Sequence, residues 1–499
     1  MKKLILIILL FASNISIAQY STMFNDTLNP FGPGGSDLRD IVQDDSFYYA
    51  LGGVNNYEPQ WSNMIIKLDR NFQIVNKRKY IDTTWLYANY PYNTMVVNKK
   101  QIVICPQITK NPNTPFFVNG KIIAIDKNTM DTLWTRIITH PDTAYINQPN
   151  AQVFSDLTAI KGTPDGGYIL TGNYNPHCIG ADKRSFLLKI DSMGTIEWRR
   201  TYNNISYLYD IELTPNGGYM VMNKNWGAIV IELDSIGNIK WSKRINNDTI
   251  NVEVSDMTYS GSNTFIGINK YIKNGSISYP EYGLIAFKIN ILTRQILWQK
   301  KYNLFHSIDC IGLHQAIGVE ALPNGDIVVS GTVRKYGNDY SGFLFKLNSN
   351  GDSLWAKTYN FSTSSTAKCQ LNDMLPTNDG GFLGVGYYYT YTASTAWLIK
   401  TDANGTVGWE NTKEKVKSIK FSVYPNPAKS STTLEFDKAL IYPLDIKVYN
   451  TLGQMILQSK IDKGANRIKL DLSGFEAGLY YYELQSQAQT MGSGKFVVE

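Results

Sequence analysis

The sequence predicts an all-β protein: a ring of repeated four-stranded sheets followed by a small β-sandwich. Three observations carry that expectation. First, the 499 residues are 43% hydrophobic and 13% aromatic, with 33 tyrosines and only 18% charged side chains, a composition suited to pleated, half-buried surfaces. Second, a turn signature recurs as Thr163-Pro164-Asp165-Gly166-Gly167-Tyr168, Thr214-Pro215-Asn216-Gly217-Gly218-Tyr219, Leu322-Pro323-Asn324-Gly325 and Thr377-Asn378-Asp379-Gly380-Gly381-Phe382. Third, further along each unit a strand ends in Asp or Asn, with Gly three residues on and Trp seven residues on, as in Asp191 to Trp198, Asp234 to Trp241, Asn348 to Trp355 and Asp402 to Trp409.

Taken in chain order, residues 1–18 read as a signal peptide. Lys2 and Lys3 precede the apolar run Leu4 to Ala12, and Ser16-Ile17-Ala18 gives the small residues needed for cleavage before Gln19. The apolar run is too short for a permanent membrane span, and no other segment approaches that length, so the mature form has no transmembrane segment. Residues 19–36, with Pro30 and Pro33, form an N-terminal arm that can supply an extra strand to close the ring.

The repeats occupy residues 37–411. In the Asp/Asn-Gly turns, glycine supplies the left-handed conformation that a tight hairpin demands. At Asp69, Asp126, Asp191, Asp234, Asn290, Asn348 and Asp402 the side chain at the strand end is expected to accept hydrogen bonds from the N–H groups of the following turn. These seven turns mark units of about 54 residues, the size of four-stranded propeller blades, so the fold expected here is a seven-bladed β-propeller. The recurring Trp is expected to bury its ring between neighbouring blades, because sheets arranged in a ring pack face to face. These repeats resemble those of quinoprotein-like and other secreted bacterial propellers, a resemblance that implies the fold and no single activity.

Residues 412–419 read as a Lys-containing linker, and residues 420–499 as a small immunoglobulin-like β-sandwich. Alternating apolar positions such as Ile446 and Val448, or Ile468, Leu470 and Leu472, mark its strands. Four marks occur there in order. They are Val423-Tyr424-Pro425-Asn426-Pro427, Val448-Tyr449-Asn450-Thr451-Leu452-Gly453, Ala477-Gly478-Leu479-Tyr480 and the terminal Lys495-Phe496-Val497-Val498-Glu499. This end of the chain resembles the type A sorting domain of Bacteroidetes type IX secretion cargo. The resemblance places the sorting motif on Tyr424, Pro425, Asn426, Pro427, Gly453, Gly478 and Tyr480. It implies export through the periplasm, engagement of the type IX machinery and its sortase, removal of the domain, and release or attachment at the outer cell surface.

A net charge of +6 spread over 499 residues leaves no basic footprint for nucleic acid. The sequence contains no Gly-x-Ser-x-Gly elbow, His-Glu-x-x-His helix or EF-hand loop. Quinone-dependent dehydrogenases, as that resemblance has it, use an adjacent cysteine pair, whereas Cys105, Cys178, Cys310 and Cys369 stand apart. No cofactor is expected and the catalytic residues, if any, are unknown. Cys105 with Cys178 and Cys310 with Cys369 fall in successive blades and are the disulfide pairings to test first. His306, Cys310 and His314 have helical metal-ligand spacing, but Gly312 argues against a helix, and a polar loop with a structural cysteine is the preferred reading, so no metal is expected.

Both rule-bound turns of each unit lie at one end of its sheet, which leaves the long irregular connections at the other. These carry Tyr57, Trp61 (read as a loop residue), Phe116, Phe117, Tyr174, Tyr279, Tyr282, Tyr336, Tyr340, Tyr389 and Tyr391. Flat rings with polar tips suit a sugar or a protein partner. Two functions follow: a non-catalytic binder of an extracellular glycan or protein, and, as the alternative, an extracellular hydrolase or lyase acting on polysaccharide.

Overall fold

The computed structural model describes residues 21–24, 35–55, 61–82, 86–88, 94–109, 118–140, 154–174, 184–205, 207–223, 229–245, 253–273, 281–304, 310–335, 340–360, 368–389, 394–407, 421–440, 443–451, 454–486 and 489–499. It divides into two compact units, residues 1–408 and residues 409–499. Among the described residues all regular structure is β-strand.

Among the described residues of the first unit the strands group into seven antiparallel sets of four, six of them meanders. Blade 1 is Ser36–Gln43, Tyr48–Asn55, Trp61–Leu68 and Ile74–Tyr80. In blade 2, built on Met95–Val97, Gln101–Ile104, Val118–Asp126 and Thr132–Ile138, the short pieces Leu86–Ala88 and Gln107–Thr109 extend the first two strands. Blades 3 to 6 run Phe154–Gly162 to Ile196–Tyr202, Leu208–Leu213 to Ile239–Arg244, Glu253–Tyr259 to Gln295–Tyr302, and Cys310–Ala321 to Ser353–Tyr359. Blade 7 takes three strands from Lys368–Pro376, Phe382–Tyr389 and Ser394–Thr401, and its fourth from the other end of the unit, where Ser21–Phe24 pairs antiparallel with Ser394–Thr401. The first strand of each blade packs against the first strand of the next, and Lys368–Pro376 packs back on Ser36–Gln43, so the ring is closed. This is a β-propeller.

Each turn joining the third and fourth strands is built as its residue types require. Asp69, Asp126, Asp191, Asp234, Asn290, Asn348 and Asp402 each accept two backbone N–H groups of their own turn through Oδ1. Each such turn also holds one left-handed residue: Phe72, Met130, Gly194, Gly237, Arg294, Gly351 or Gly405.

The glycines have a second reason to be there. A Cβ added to Gly194, Gly351 or Gly405 would lie within 3.0 Å of the ring of Trp134, Trp298 or Trp355 of the preceding blade, and one on Gly237 would lie 3.4 Å from Trp198. The recurring Trp therefore spans the seam, but as a half-buried lid rather than an enclosed core residue; among the described ones Trp241 alone is buried, its indole N–H donating to Glu232. Four residues beyond the Trp position, a second device repeats. Tyr80, Tyr202, Tyr302 and Tyr359 donate their hydroxyls to the carbonyls of Met130, Gly237, Gly351 and Gly405 in the following blade, at 2.8, 2.6, 2.5 and 2.7 Å.

The second unit is a two-sheet sandwich. Phe421–Tyr424, Ser431–Phe436 and Arg467–Asp471 form one sheet, and Met455–Ile461, Leu444–Tyr449, Gly478–Ser486 and Gln489–Val498 form the other. Leu434, Phe436 and Leu470 from the first meet Ile446, Val448, Tyr482, Leu484 and Phe496 from the second in one core.

Several expectations change here. Trp61 opens a strand instead of sitting in a loop, though its side chain lies outside the described residues. Cys310 and His314 lie on the strand Cys310–Ala321, so helical spacing does not relate them. Cys105 and Cys369 are buried thiols, so neither proposed disulfide pairing is present. Residues 1–18, Trp409 and the linker 412–419 lie outside the described residues.

The seam geometry yields an expected outcome. Tyr359→Phe, which leaves the ring and removes one inter-blade hydrogen bond, should cost about 1 kcal/mol. Trp355→Ala, which uncovers Gly405, should cost about 1–3 kcal/mol, less than a fully enclosed ring would. Urea denaturation of both variants checks this, and unchanged midpoints for both would show that the seam does not depend on these side chains.

Candidate functional site

Where the long connections leave the sheets, two of the expected rim residues come together around a lysine. Tyr340 starts the third strand of blade 6, Lys368 starts the first strand of blade 7, and Tyr389 ends the second strand of blade 7. The bridge between Tyr340 and Lys368 fixes this meeting. Lys368 Nζ lies 5.6 Å from the Tyr340 ring centre and 5.8 Å from that of Tyr389, and Tyr389 is 40% exposed. Tyr174 does not join them. It is buried on the strand Tyr168–Tyr174, with its ring 5.2 Å from His140 and 6.4 Å from Phe186. Tyr57, Phe116, Phe117, Tyr279, Tyr336 and Tyr391 lie outside the described residues, as does the side chain of Tyr282.

The ring axis carries a cluster that the sequence reading missed. Counting back four residues from the first residue of each inner hairpin turn gives Asp40, Thr94, Ala159, Asp210, Asp256, Gly318 and Asp373. In six of the seven inner strands a bulge falls just before this position. The four aspartates each accept a backbone N–H from the inner strand of the next blade: Asp40 from Met95 at 2.8 Å, Asp210 from Met257 at 2.9 Å, Asp256 from Val319 at 2.7 Å and Asp373 from Ile41 at 2.9 Å. Two residues nearer the turns, Lys161, Glu212 and Glu320 join them, with Lys161 Nζ 2.7 Å from Glu212 Oε1.

Six carboxyl groups thus share the axis with one ammonium, and their titration follows from that crowding. Burial raises Asp373 well above the ordinary carboxylate range, with the charge of Asp40 adding to it; Asp40 is itself raised by burial. Burial alone would lower the Lys161 ammonium, but Glu212, then Asp210 and Asp256, hold it above its ordinary value. Glu320 is pushed up to about 7, by desolvation first, then by the charges of Glu212 and Asp210 acting against the relief from Lys161. Among the described residues no group of three or more His, Cys, Asp or Glu side chains is arranged to hold a metal ion.

In the second unit, Tyr424, Pro425, Asn426 and Pro427 are exposed and lie beside the end of the chain. Asn426 Oδ1 accepts the N–H of Val497 at 2.9 Å, Ala428 N–H donates to the Val497 carbonyl at 2.8 Å, and Glu499 N–H donates to the Ala428 carbonyl at 2.8 Å. Tyr424 OH donates to Glu435 at 2.6 Å. Gly478 opens a strand, and Tyr480 is buried, stacked 5.8 Å from Phe496 with its hydroxyl donating to the Glu476 carbonyl. Gly453 lies outside the described residues.

Residues 422–499 match the family described as the secretion system C-terminal sorting domain. The C-terminal unit is a type IX secretion sorting domain. It marks the propeller for export, to the medium or the cell surface, and implies contact with the type IX machinery. No curated protein sequence matches the chain. Among solved structures, the chain is similar to the quinohemoprotein alcohol dehydrogenase from Comamonas testosteroni, with 9% identity, a TM-score of 0.44, and coverage of 81% of this chain and 79% of that one. It is similar to the WD40 domain of Pan2 from Neurospora crassa, with 10% identity, a TM-score of 0.43, and coverage of 77% and 96%. A protein of unknown function from Bacteroides caccae is similar at 13% identity and a TM-score of 0.37, with coverage of 63% and 94%. Among the described residues no helix is long and apolar enough to cross a membrane.

The axial cluster predicts a pH dependence ahead of the sorting domain. Folded Glu320 titrates near 7 and an unfolded glutamate near 4.5. The native chain therefore holds the extra proton between those values, and this group's contribution to stability, fully present below about pH 4.5, is lost as the pH rises through about 7. Glu320→Gln should remove that loss and leave the variant more stable than the parent above neutrality, by on the order of 3 kcal/mol at most. Urea midpoints at pH 5 and pH 8 check it; a parent–variant difference that does not change between the two would rule it out.

Proposed function

We propose that this chain is Bacteroidetes-type export cargo whose propeller binds an extracellular glycan or protein through its loop-side rim. In this reading the signal peptide 1–18 directs passage to the periplasm. The sorting domain then engages the type IX machinery, whose sortase removes it near the linker 412–419, and the propeller acts at the outer surface or in the medium. The observation that supports rim binding is the grouping of Tyr340, Lys368 and Tyr389, two amphipathic rings about one cation at the end of the sheets where the long connections lie. At the opposite end the turn side chains are engaged by their own backbone, which leaves them little to offer a partner.

The second reading, a polysaccharide hydrolase or lyase, is favoured by Glu320, whose protonated fraction near neutral pH suits a general acid. A polysaccharide panel separates the two. Turnover lost in Glu320→Gln with retained folding supports the enzyme, and binding without turnover supports the binder.

Two outcomes are expected for the proposal. Deleting residues 420–499 should leave a folded propeller in the periplasm, while the full chain should appear outside the cell ending near the linker. Truncated protein in the medium at parental levels, or an intact tail on the exported form, would overturn the export reading. For the rim, a glycan array first identifies the ligand, and then Tyr340→Ala combined with Tyr389→Ala should weaken binding by about tenfold or more with little change in melting temperature. Undiminished binding would move the site elsewhere.

A further inference from the structure

A separate feature lies at the seam of blades 2 and 3, away from both the rim grouping and the axis. Arg199, on the fourth strand of blade 3 opposite Leu188, lays its guanidinium over the Phe186 ring, 4.2 Å from the ring centre. Its Nη1 donates to the carbonyl of Thr139, at the end of blade 2, at 2.9 Å. Its Nε and Nη2 are buried and make no hydrogen bond. Desolvation pushes the group down to about 10, with the Tyr174 hydroxyl as the one partner that favours its charge, so no described carboxylate answers it.

An arrangement of this kind is costly. The one hydrogen bond to Thr139 and the contact with Phe186 repay only part of the lost hydration, because two buried donors stay unanswered, whereas an apolar side chain of the same length would pack there without that penalty. The two orphaned nitrogens are also a specific pair. Nε and Nη2 share the side-on edge of the guanidinium, where two parallel N–H groups match the two oxygens of a planar carboxylate. Stacking on Phe186 and the bond to Thr139 hold that edge in one orientation, so little conformational freedom remains to be lost on binding.

We propose that the Arg199 edge is a binding site for a carboxylate ligand. The carboxylate accepts both N–H groups in the plane of the guanidinium. The inference stands on its own geometry and does not depend on the rim's being a binding surface.

Thermal unfolding of the mature full chain tests it, with sodium acetate or sodium galacturonate as the probe and galactose, sodium chloride and inorganic phosphate as controls at matched ionic strength. Either carboxylate should raise the melting temperature by about 2–4 °C, and the controls should not. Arg199→Met should melt higher than the parent without additive and ignore the carboxylates. Arg199→Lys, which keeps the charge but loses the paired donors, should bind them at least about tenfold more weakly. Equal shifts with chloride or phosphate, an Arg199→Met response matching the parent, or an Arg199→Met variant that melts lower or fails to fold would each overturn the proposal, the last because it means the edge is already satisfied.

Discussion

Among the described residues the backbone crosses the seams between blades only at short parallel bridges, Val118–Asn119 with Phe154–Ser155, Tyr282 with Gly312 and Tyr340 with Lys368, so the propeller depends on how else the inner strand of one blade is tied to the next. That inner strand has a partner on one side only, and its outward N–H groups face the axis, where an unanswered donor would be expensive. The aspartates at 40, 210, 256 and 373 answer one such donor each across four of the seams. The seam that joins the two ends of the chain is tied at several points. Asp373 reaches Ile41, Asn372 reaches the Leu38 carbonyl, Gln43 reaches the Pro376 carbonyl and Ser36 accepts from Ala396. Strand Ser21–Phe24 then completes blade 7, so opening the ring would also break a strand pairing between residues about 375 positions apart in the chain.

This solution concentrates like charge. Carboxylates fit the task because each can accept several N–H groups, yet four of them on one axis, with Glu212 and Glu320 beside them, repel one another. The conflict is relieved in two ways. Lys161 neutralises the part of the axis nearest Glu212, and the most crowded groups, Asp373 and Glu320, keep their protons to higher pH than an exposed carboxyl would. At the remaining seams the position is held by Thr94, Ala159 and Gly318, which add no charge. At Gly318 any side chain would also press on Ser330 and on Asp373 Oδ1, 2.7 and 3.1 Å from the added carbon.

How much of this could be read in advance follows from where each residue finds its partner. Asp191 and its counterparts bond within their own turn, so spacing alone revealed their role. The Trp positions pointed correctly to the seams but not to the degree of burial, because the depth of a ring depends on the neighbouring blade. Asp40, Asp210, Asp256 and Asp373 keep a constant distance from their turns, and Tyr202, Tyr302 and Tyr359 sit four residues after a Trp. Both signals were present, but their partners are 46 residues or more away along the chain in most cases, so nothing local explains them. Tyr174 was misplaced for a related reason: the strand runs on to include it, and its ring turns into the seam where Arg199 lies. Arg199 itself leaves no sequence signature, since an arginine on an outer strand ordinarily points to water.

The sorting domain sharpens the same point, because its marks divide by burial. Tyr480 and Phe496 stack in the core, so they are needed for the fold whatever else they do. The first and last marks are different. Although about 70 residues separate Asn426 from Val497, the Asn426 side chain and the Ala428 backbone knit the Tyr424-Pro425-Asn426-Pro427 segment to the final strand. Its exposed side chains and those of Lys495 and Glu499 therefore share one edge of the sandwich only while the sandwich is folded. Unfolded chain carries the same motifs without that juxtaposition, so a partner that reads both ends at once reads the folded state, not the sequence. Motif order along the chain is then a shadow of a single surface, which is why marks so far apart can act as one label.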